Sequence, residues 1–357
     1  MKIKVEELKE GYRIVEDVFG LTKAPIVPKN TVVTKEIKEV LQAFLIEEVF
    51  AEPPRRTYST TRKNQSQKPV ESRTSQTSLF KKMYIHAVEQ YKREFVNWQS
   101  GLPIEINNIR KFFLPLFSLL EKEPKQLLML QNYVRKSDFL YHHSVSIGLI
   151  AGYIAKVMQL KKGDVIQIAL GGCLCDSGLA KEDPIQIKIE NGIHFNGNRF
   201  FNHPANSYKM LQNILSVQPE IKVAVFQHHE LLDGSGYPLG VKSEKIHQYA
   251  KIFAISDLFH NLVADPRKSD STNPFEVLDI LNHDYFGKID IEILYTLQDA
   301  LRQLAINAIV RLSDNRIGRI IYFDPKNLSK PVIQLEDEQE IISLQQYQEL
   351  SIIEIIG

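Results

Sequence analysis

The order of apolar and polar positions changes along the chain and divides it into regions of different predicted structure. Residues 1–52 alternate apolar and polar positions in short runs, which indicates strands, with one predicted helix at 34–44. Residues 79–304 repeat apolar positions every three to four residues, which is typical of amphipathic helices. Residues 305–357 return to strand-like runs between turn residues. The pattern predicts a mainly α protein, a helical bundle flanked by small β-rich N-terminal and C-terminal modules.

A polar segment, residues 53–78, separates the first module from the helices. It is rich in Ser, Thr, Gln, Arg and Lys, and Val70 is its only aliphatic residue. Such a composition cannot bury enough apolar surface to offset the entropy of ordering, so we predict a disordered basic linker. A solvated linker is favoured here over a membrane-binding or RNA-binding patch.

Within the helical region the spacing predicts most helix positions directly. A polar stretch rich in Gly and Asn at 183–202 is predicted to be a loop, and Asp164 is predicted to cap a helix. The other predicted helices lie at about 106–120, 125–135, 137–158, 204–215, 219–230, 244–264, 274–282 and 290–304.

Composition says more about the compartment in which the protein works than about its activity. A formal net charge of +1 over 357 residues gives no general attraction to DNA or to anionic membranes. The chain has only two cysteines, Cys173 and Cys175, which do not suggest a disulfide framework. No secretory signal and no apolar stretch long enough to enter a membrane are evident. We therefore expect a cytoplasmic protein without membrane insertion.

Six histidines and aspartates form the candidate metal-binding set. Each lies in or beside a predicted helix, and a helical bundle can direct such side chains towards one interior site. Imidazoles and carboxylates together suit Fe, Mn or Zn, and two ions bridged by a carboxylate could activate water against a phosphate. Five other histidines are interpreted as structural or surface residues: His86, His194, His247, His260 and His283. The six are His143, Asp176, His203, His228, His229 and Asp257.

Residues 228–238 read His-His-Glu-Leu-Leu-Asp-Gly-Ser-Gly-Tyr-Pro and resemble the signature of the HD-GYP family, a branch of the HD superfamily. The resemblance extends over about residues 138–265, where His143-Ser144, His203-Pro204 and the segment ending at Asp257 are similar to other family segments. The eleven-residue match is specific because it combines metal-ligand residue types with glycine turn chemistry.

The resemblance implies an HD-type helical bundle that hydrolyses cyclic di-GMP to pGpG or GMP in bacterial second-messenger signalling. It implies that the six residues hold two divalent ions, with Asp176 bridging them. It also implies that Tyr237 contributes to catalysis and that the pocket for cyclic di-GMP is shaped by the turn residues Gly234, Gly236, Tyr237 and Pro238.

The chain departs from the family pattern at the His-Asp-x-Gly-Lys motif, which here reads Cys175-Asp176-Ser177-Gly178-Leu179. Cys175 could replace the histidine as a metal ligand, or one metal could be lost. Leu179 offers no positive charge to a phosphate, and Lys181 is the alternative candidate for that role.

These departures leave the function open between classes. The chain is either an enzyme with activity reduced by Cys175 and Leu179, or an inactive cyclic di-GMP sensor or interaction scaffold. A third interpretation has the site empty and purely structural. Besides cyclic di-GMP, the partners left open are a second copy in a homodimer and another signalling protein.

Overall fold

The computed structural model describes most of the helical region and parts of both ends. The contacts divide the chain into two compact units, Thr77–Ala305, here called the helical unit, and Met1–Gln76 with Ile306–Gly357, here called the terminal unit. The described residues are 2–9, 11–19, 25–27, 29, 31–34, 37–38, 41–42, 46–53, 79–182, 202–268, 271–324, 327–336, 340–347 and 349–356.

The helical unit confirms the predicted run of helices. Its named α-helices are α1 (Leu79–Gln99), α2 (Ile106–Lys122), α3 (Phe139–Val157), α4 (Lys162–Leu174), α5 (His203–Leu211), α6 (Pro219–Phe226), α7 (Gln248–Val263), α8 (Pro274–Asp284) and α9 (Ile291–Ala305). The predicted cap at Asp164 is wrong, because α4 begins at Lys162 with Lys161 at the N-cap position, and Asp164 lies in its first turn.

One predicted helix, at 125–135, has a different form. Residues Pro124–Tyr133 make a 3₁₀ helix, and its buried side chains are Leu127, Leu128, Leu130 and Gln131. These four pair at a spacing of three residues, which a 3₁₀ helix places on one face. The periodicity therefore located a helix without distinguishing its type.

The centre of the helical unit is α3, which is buried along most of its length. Two glycines let it approach α4 closely. A Cβ at Gly148 would lie 2.7 Å from the Ala169 carbonyl oxygen, and one at Gly152 would lie 2.6 Å from the Ala169 Cβ. This close packing brings the first turns of α3 next to the residues that follow α4, and both carry predicted ligands.

The terminal unit is built from antiparallel strands contributed by both ends of the chain. A three-stranded sheet has the order β1-β5-β2, β3 pairs with β4, and a five-stranded sheet has the order β10-β6-β7-β8-β9. The strands are β1 (Lys2–Lys4), β2 (Arg13–Ile14), β3 (Val18–Phe19), β4 (Pro25–Val27), β5 (Glu48–Glu52), β6 (Ile309–Leu312), β7 (Ile317–Asp324), β8 (Asn327–Leu335), β9 (Ile341–Ser343) and β10 (Ile352–Ile355).

Both ends contribute to one apolar cluster in the terminal unit. N-terminal residues such as Leu8, Ile14 and Val49 share it with Ile321 and Ile341 from the C-terminal sheet. The sequence predicts two separate modules at 1–52 and 305–357, because nothing local in the chain links segments so far apart. The four-part domain division therefore stays a prediction, whereas the shared cluster is observed.

The fold class is confirmed: a mainly α bundle accompanied by small antiparallel sheets from both ends. Several local predictions fall where the structure gives no description. The predicted linker, apart from Pro53, the predicted loop, apart from Asn202, and most of the predicted helix at 34–44 lie outside the described residues. None of the described helices combines the length and apolar character needed to cross a membrane.

Candidate metal centre

The six predicted ligands come together in the helical unit as two groups that share Asp176. Within each group the potential ligand atoms all lie within 4.8 Å of one another. We call Asp176, His203, His228 and His229 the histidine site, and His143, Asp176 and Asp257 the acidic site. Five separate segments supply these side chains: α3, the turn after α4, the start of α5, the turn after α6, and α7.

The turn that carries Asp176 is fixed against α5 by Ser207. The Ser207 hydroxyl donates to the Cys175 carbonyl at 2.6 Å and accepts from the Gly178 amide at 2.7 Å. A Cβ at Gly178 would lie 2.5 Å from the Ser207 amide nitrogen and would also collide with the His203 carbonyl oxygen. The glycine is therefore needed for α5, with His203 at its start, to pack against the Asp176 turn.

Asp176 is fully buried between three imidazoles. Its Oδ1 lies 3.3 Å from the Nε2 atoms of both His203 and His228, and its Oδ2 lies 3.7 Å from His143 Nε2. Burial opposes ionisation, but the adjacent His203 and His228 rings outweigh it and hold the pKa of Asp176 well below its usual range. Neither carboxylate oxygen accepts a hydrogen bond from the described part of the chain.

The histidine site brings ring nitrogens face to face. His228 Nδ1 donates to the Val225 carbonyl oxygen at 2.6 Å, which in the neutral ring leaves Nε2 bare and directed at the cluster. That Nε2 lies 3.2 Å from His203 Nε2, which is itself 3.1 Å from His229 Nε2. Such a convergence of nitrogen lone pairs beside a carboxylate is the donor set that a divalent cation satisfies.

The protonation tendencies of the two neighbouring histidines are opposed. Burial lowers the pKa of His228, but the contact with ionised Asp176 more than reverses this and raises it. The pKa of His229 is held well below its usual value by burial and by the nearby His228 and His203 rings. The site therefore resists gathering several protons, which leaves imidazole nitrogens available as ligands.

The acidic site is organised by α7. His143 Nε2 lies 2.8 Å from Asp257 Oδ1, which also accepts from Asn261 Nδ2 at 3.0 Å. His143 Nδ1 lies 2.9 Å from Nδ1 of buried His260. The sequence interpretation of His260 as a structural or surface residue missed this contact. Its position three residues after Asp257, on the same helical face, was the available signal.

The Gly-Tyr-Pro loop is held beside the histidine site by Glu230, for which the sequence analysis predicts no separate role. The buried Glu230 carboxylate accepts from the amides of Leu239 at 2.7 Å and Val241 at 3.0 Å. The Tyr237 ring stacks on His229 with centroids 4.7 Å apart, and its amide donates to the His229 carbonyl at 3.1 Å. Burial raises the pKa of Tyr237, so the phenol stays neutral.

The glycines and proline of this loop have distinct structural roles. Gly234 has a φ of +83°, which only glycine adopts easily. A Cβ at Gly236 would lie 2.6 Å from the Glu230 Cα and would collide with the His229 carbonyl oxygen and the Leu231 amide. Pro238 follows a cis peptide bond. These residues, predicted to bind substrate, shape the loop next to the histidine site.

The structure does not bring Cys175 or Lys181 into the two described ligand groups. The Cys175 Sγ donates to the Gly172 carbonyl oxygen of its own helix at 3.1 Å, and burial raises the pKa of the thiol well above its usual value. A thiolate ligand is therefore disfavoured in this conformation. Lys181 Nζ donates to the Trp98 carbonyl oxygen at 2.7 Å, and Leu179 is buried.

Comparisons with known proteins identify the type of domain in the helical unit. Residues 128–293, which contain all six predicted ligands, match the family described as HD domain. The chain is 26% identical over 215 residues to the cyclic di-GMP phosphodiesterase PA4108 of Pseudomonas aeruginosa, covering 60% of this chain and 52% of that protein. It is 28% identical over 171 residues to 3'3'-cGAMP-specific phosphodiesterase 1 of Vibrio cholerae, covering 47% and 39%.

Among solved structures, Bd1817, an HDG"Y"P protein from Bdellovibrio bacteriovorus, aligns with a TM-score of 0.49 and 13% identity, over 84% of this chain and 99% of that chain. The chain spans about half the length, or less, of the curated relatives it matches. The matched HD domain, the ligand order and the intact loop after His228-His229-Glu230 lead to one assignment. The helical unit of this chain contains an HD domain that resembles the HD-GYP family and has a cysteine at the histidine position of the HD pair.

Proposed function

We propose that this chain is a metal-dependent phosphodiesterase that hydrolyses cyclic di-GMP to pGpG or GMP in bacterial second-messenger signalling. The observation that carries the proposal is the pair of ligand groups joined by Asp176, whose buried oxygens accept no hydrogen bond from the described residues. A cation bound between the two groups would compensate the buried charge of this carboxylate in addition to the neighbouring imidazoles. The named activities of the similar proteins support the same class of reaction.

In this proposal His203, His228 and His229 hold one divalent ion, His143 and Asp257 hold a second, and Asp176 serves both. The mixed nitrogen and oxygen donors suit Fe, Mn or Zn. Bound there, the ions would polarise the phosphodiester and supply a hydroxide nucleophile at neutral pH. The residues of the chain fix the ligand geometry, and Tyr237 places an aromatic face and a neutral hydroxyl beside the histidine site, where a nucleotide would enter.

A second candidate function rests on what the site lacks beside Asp176. In the described conformation Leu179 is apolar and buried, Lys181 is bonded to Trp98, and Cys175 points back into α4. None of the three therefore offers positive charge to a phosphate or to a leaving oxygen, which lowers the expected electrostatic stabilisation of the transition state. This favours slow turnover, and in the extreme a cyclic di-GMP sensor or an interaction scaffold without turnover.

The direct test is hydrolysis of cyclic di-GMP by the full chain, purified without oxygen and supplied separately with Fe²⁺, Mn²⁺ and Zn²⁺. We expect metal-dependent release of pGpG or GMP. Asp257→Asn should abolish it, whereas Asp299→Asn, which changes an exposed aspartate on α9, should not. We expect Leu179→Lys to increase turnover, because it restores a cation near the reacting phosphate.

The alternatives give different results in the same assay. Tight binding of cyclic di-GMP without any turnover, with each of the three metals, would favour the sensor. The absence of both cyclic di-GMP binding and turnover would favour the scaffold. Hydrolysis of 3'3'-cGAMP in preference to cyclic di-GMP would keep the phosphodiesterase and correct its substrate.

A further inference from the structure

His260 makes an unusual contact with a ligand of the acidic site. It lies on α7, three residues after Asp257, and is completely buried. Its Nδ1 is 2.9 Å from His143 Nδ1, and the two ring centroids are 5.0 Å apart. Phe139 stacks on the His143 ring at 5.3 Å and contacts the His260 ring at 5.9 Å. The His143 ring is thus held on one face by the Phe139 ring and at its Nδ1 edge by His260.

The orientation of His143 decides which of its nitrogens can serve a cation. Nε2 faces the acidic site, because it lies 2.8 Å from Asp257 Oδ1 and 3.7 Å from Asp176 Oδ2. A ligating nitrogen must be bare, so the ring proton of a neutral His143 has to lie on Nδ1. In that tautomer the Nδ1–H would donate to His260, whose Nδ1 can accept it only when the His260 proton lies on Nε2, a buried atom with no hydrogen-bond partner among the described residues.

We propose that His260 is a positioning residue for the acidic site, whose bare Nδ1 accepts the His143 Nδ1 proton and thereby holds His143 Nε2 available to a divalent cation. This inference rests on the proposed metal-dependent function. Metal-binding histidines usually donate their second ring proton to a carboxylate, a backbone carbonyl or water. An imidazole performs the same task here without adding negative charge.

A purely structural role for His260 makes a different prediction from a positioning role. Phenylalanine at 260 would keep an aromatic ring against Phe139 and His143 but would remove the acceptor. Asparagine would keep an acceptor oxygen close to the position of the His260 Nδ1 while losing the ring. If packing matters, phenylalanine should be the milder change, and if the acceptor matters, asparagine should be.

The test is a calorimetric titration of the metal-free full chain with Mn²⁺ alone, which reads the two sites as separate affinities. We expect His260→Phe to weaken one of the two by about 10- to 100-fold, the range found when outer partners of metal ligands are removed, and to leave the other unchanged. His260→Asn should stay close to the unmodified chain. His142→Phe is the matched control, since His142 is a buried imidazole on α3 that contacts the Tyr84 hydroxyl.

A spectroscopic reading accompanies the titration. Nitrogen-15 NMR of the Zn²⁺-loaded protein should show the His143 proton on Nδ1 in the unmodified chain and in His260→Asn, with that proton exchanging faster in His260→Phe. Unchanged affinities and an unchanged His143 signal in His260→Phe would overturn the inference, as would equal weakening of both sites together with lost thermal stability. If the unmodified chain itself binds no metal, the proposed function fails, and the inference fails with it.

Discussion

At the residue scale, burial sets the protonation of the histidines around the site. His229 and His260 have pKa values well below the usual range, mainly because burial disfavours the charged ring. The pKa of His228 is instead raised, because its contact with Asp176 outweighs the effect of burial. Histidines in the same region thus differ in pKa because their surroundings differ.

His142, which precedes His143 in the chain but contacts Tyr84 instead of the two ligand groups, allows this effect to be measured. Burial lowers its pKa to about 4, below the value of 6.5 for an exposed ring. Between these pH values the unfolded chain takes up a proton that the folded chain does not, so His142 makes the folded state less stable as pH falls from 6.5 towards 4. In the metal-free protein, His142→Phe should flatten the pH dependence of the unfolding free energy in this window, by up to about 1.4 kcal/mol per pH unit. Parallel curves for the two proteins would contradict the assignment.

The sequence reveals residue types and their order, but not the direction of a side chain. The six ligands could be chosen from their order and from the eleven-residue signature, and the structure brings all six together. The direction of the Cys175 thiol, back towards the Gly172 carbonyl oxygen, and the contact of His260 with His143 depend on packing between helices. For that reason the sequence kept Cys175 as a candidate ligand and passed over His260.

At the element scale, glycines control how closely the segments that carry the predicted ligands approach one another. Gly178 lets α5 pack on the Asp176 turn, and Gly236 lets the Tyr237 loop fold against the residues after α6. The glycines of the signature were predictable from sequence as turn residues. The requirement at Gly178 was not, because the atoms it must accommodate belong to α5, about 25 residues further along the chain.

The substitution Gly178→Ala tests whether this glycine is needed for α5 to pack on the Asp176 turn. The added methyl group would overlap backbone atoms of α5, so we expect a loss of about 1–3 kcal/mol in unfolding free energy and weaker metal binding at the histidine site. Gly163→Ala is the matched control, because no atom lies within 4 Å of its added Cβ and alanine favours the helix by about 0.5–1 kcal/mol. Equal stability of the two variants, measured by denaturant unfolding, would show that the overlap relaxes at little cost.

At the scale of the whole molecule, the chain returns on itself to build the terminal unit. Side chains from β1, β2, β4 and β5 share an apolar cluster with side chains from β7 and β9. Local alternation of apolar and polar residues was sufficient to predict the strands at both ends. It could not predict that the two sets pack together, because the pattern contains no information about distant partners.

Deletion of residues 1–53 tests the shared cluster. Without them Ile321 and Ile341, now buried, would lose their apolar partners from the N-terminal strands. We expect faster amide hydrogen exchange in β7 and β9 of the shortened protein than in the full chain, because local stability falls when apolar contacts are removed. Unchanged protection of both strands would show that the C-terminal sheet is stable without the N-terminal strands.

The central claim is that a single carboxylate, Asp176, joins two metal sites. The most direct measurement is the metal content per chain, by mass spectrometry of proteins loaded with Mn²⁺ and then freed of unbound metal. We predict about two ions for the unmodified chain, about one for Asp257→Asn, and almost none for Asp176→Asn, with Asp299→Asn matching the unmodified chain. An Asp176→Asn protein that stays folded and retains the full metal content would contradict the account.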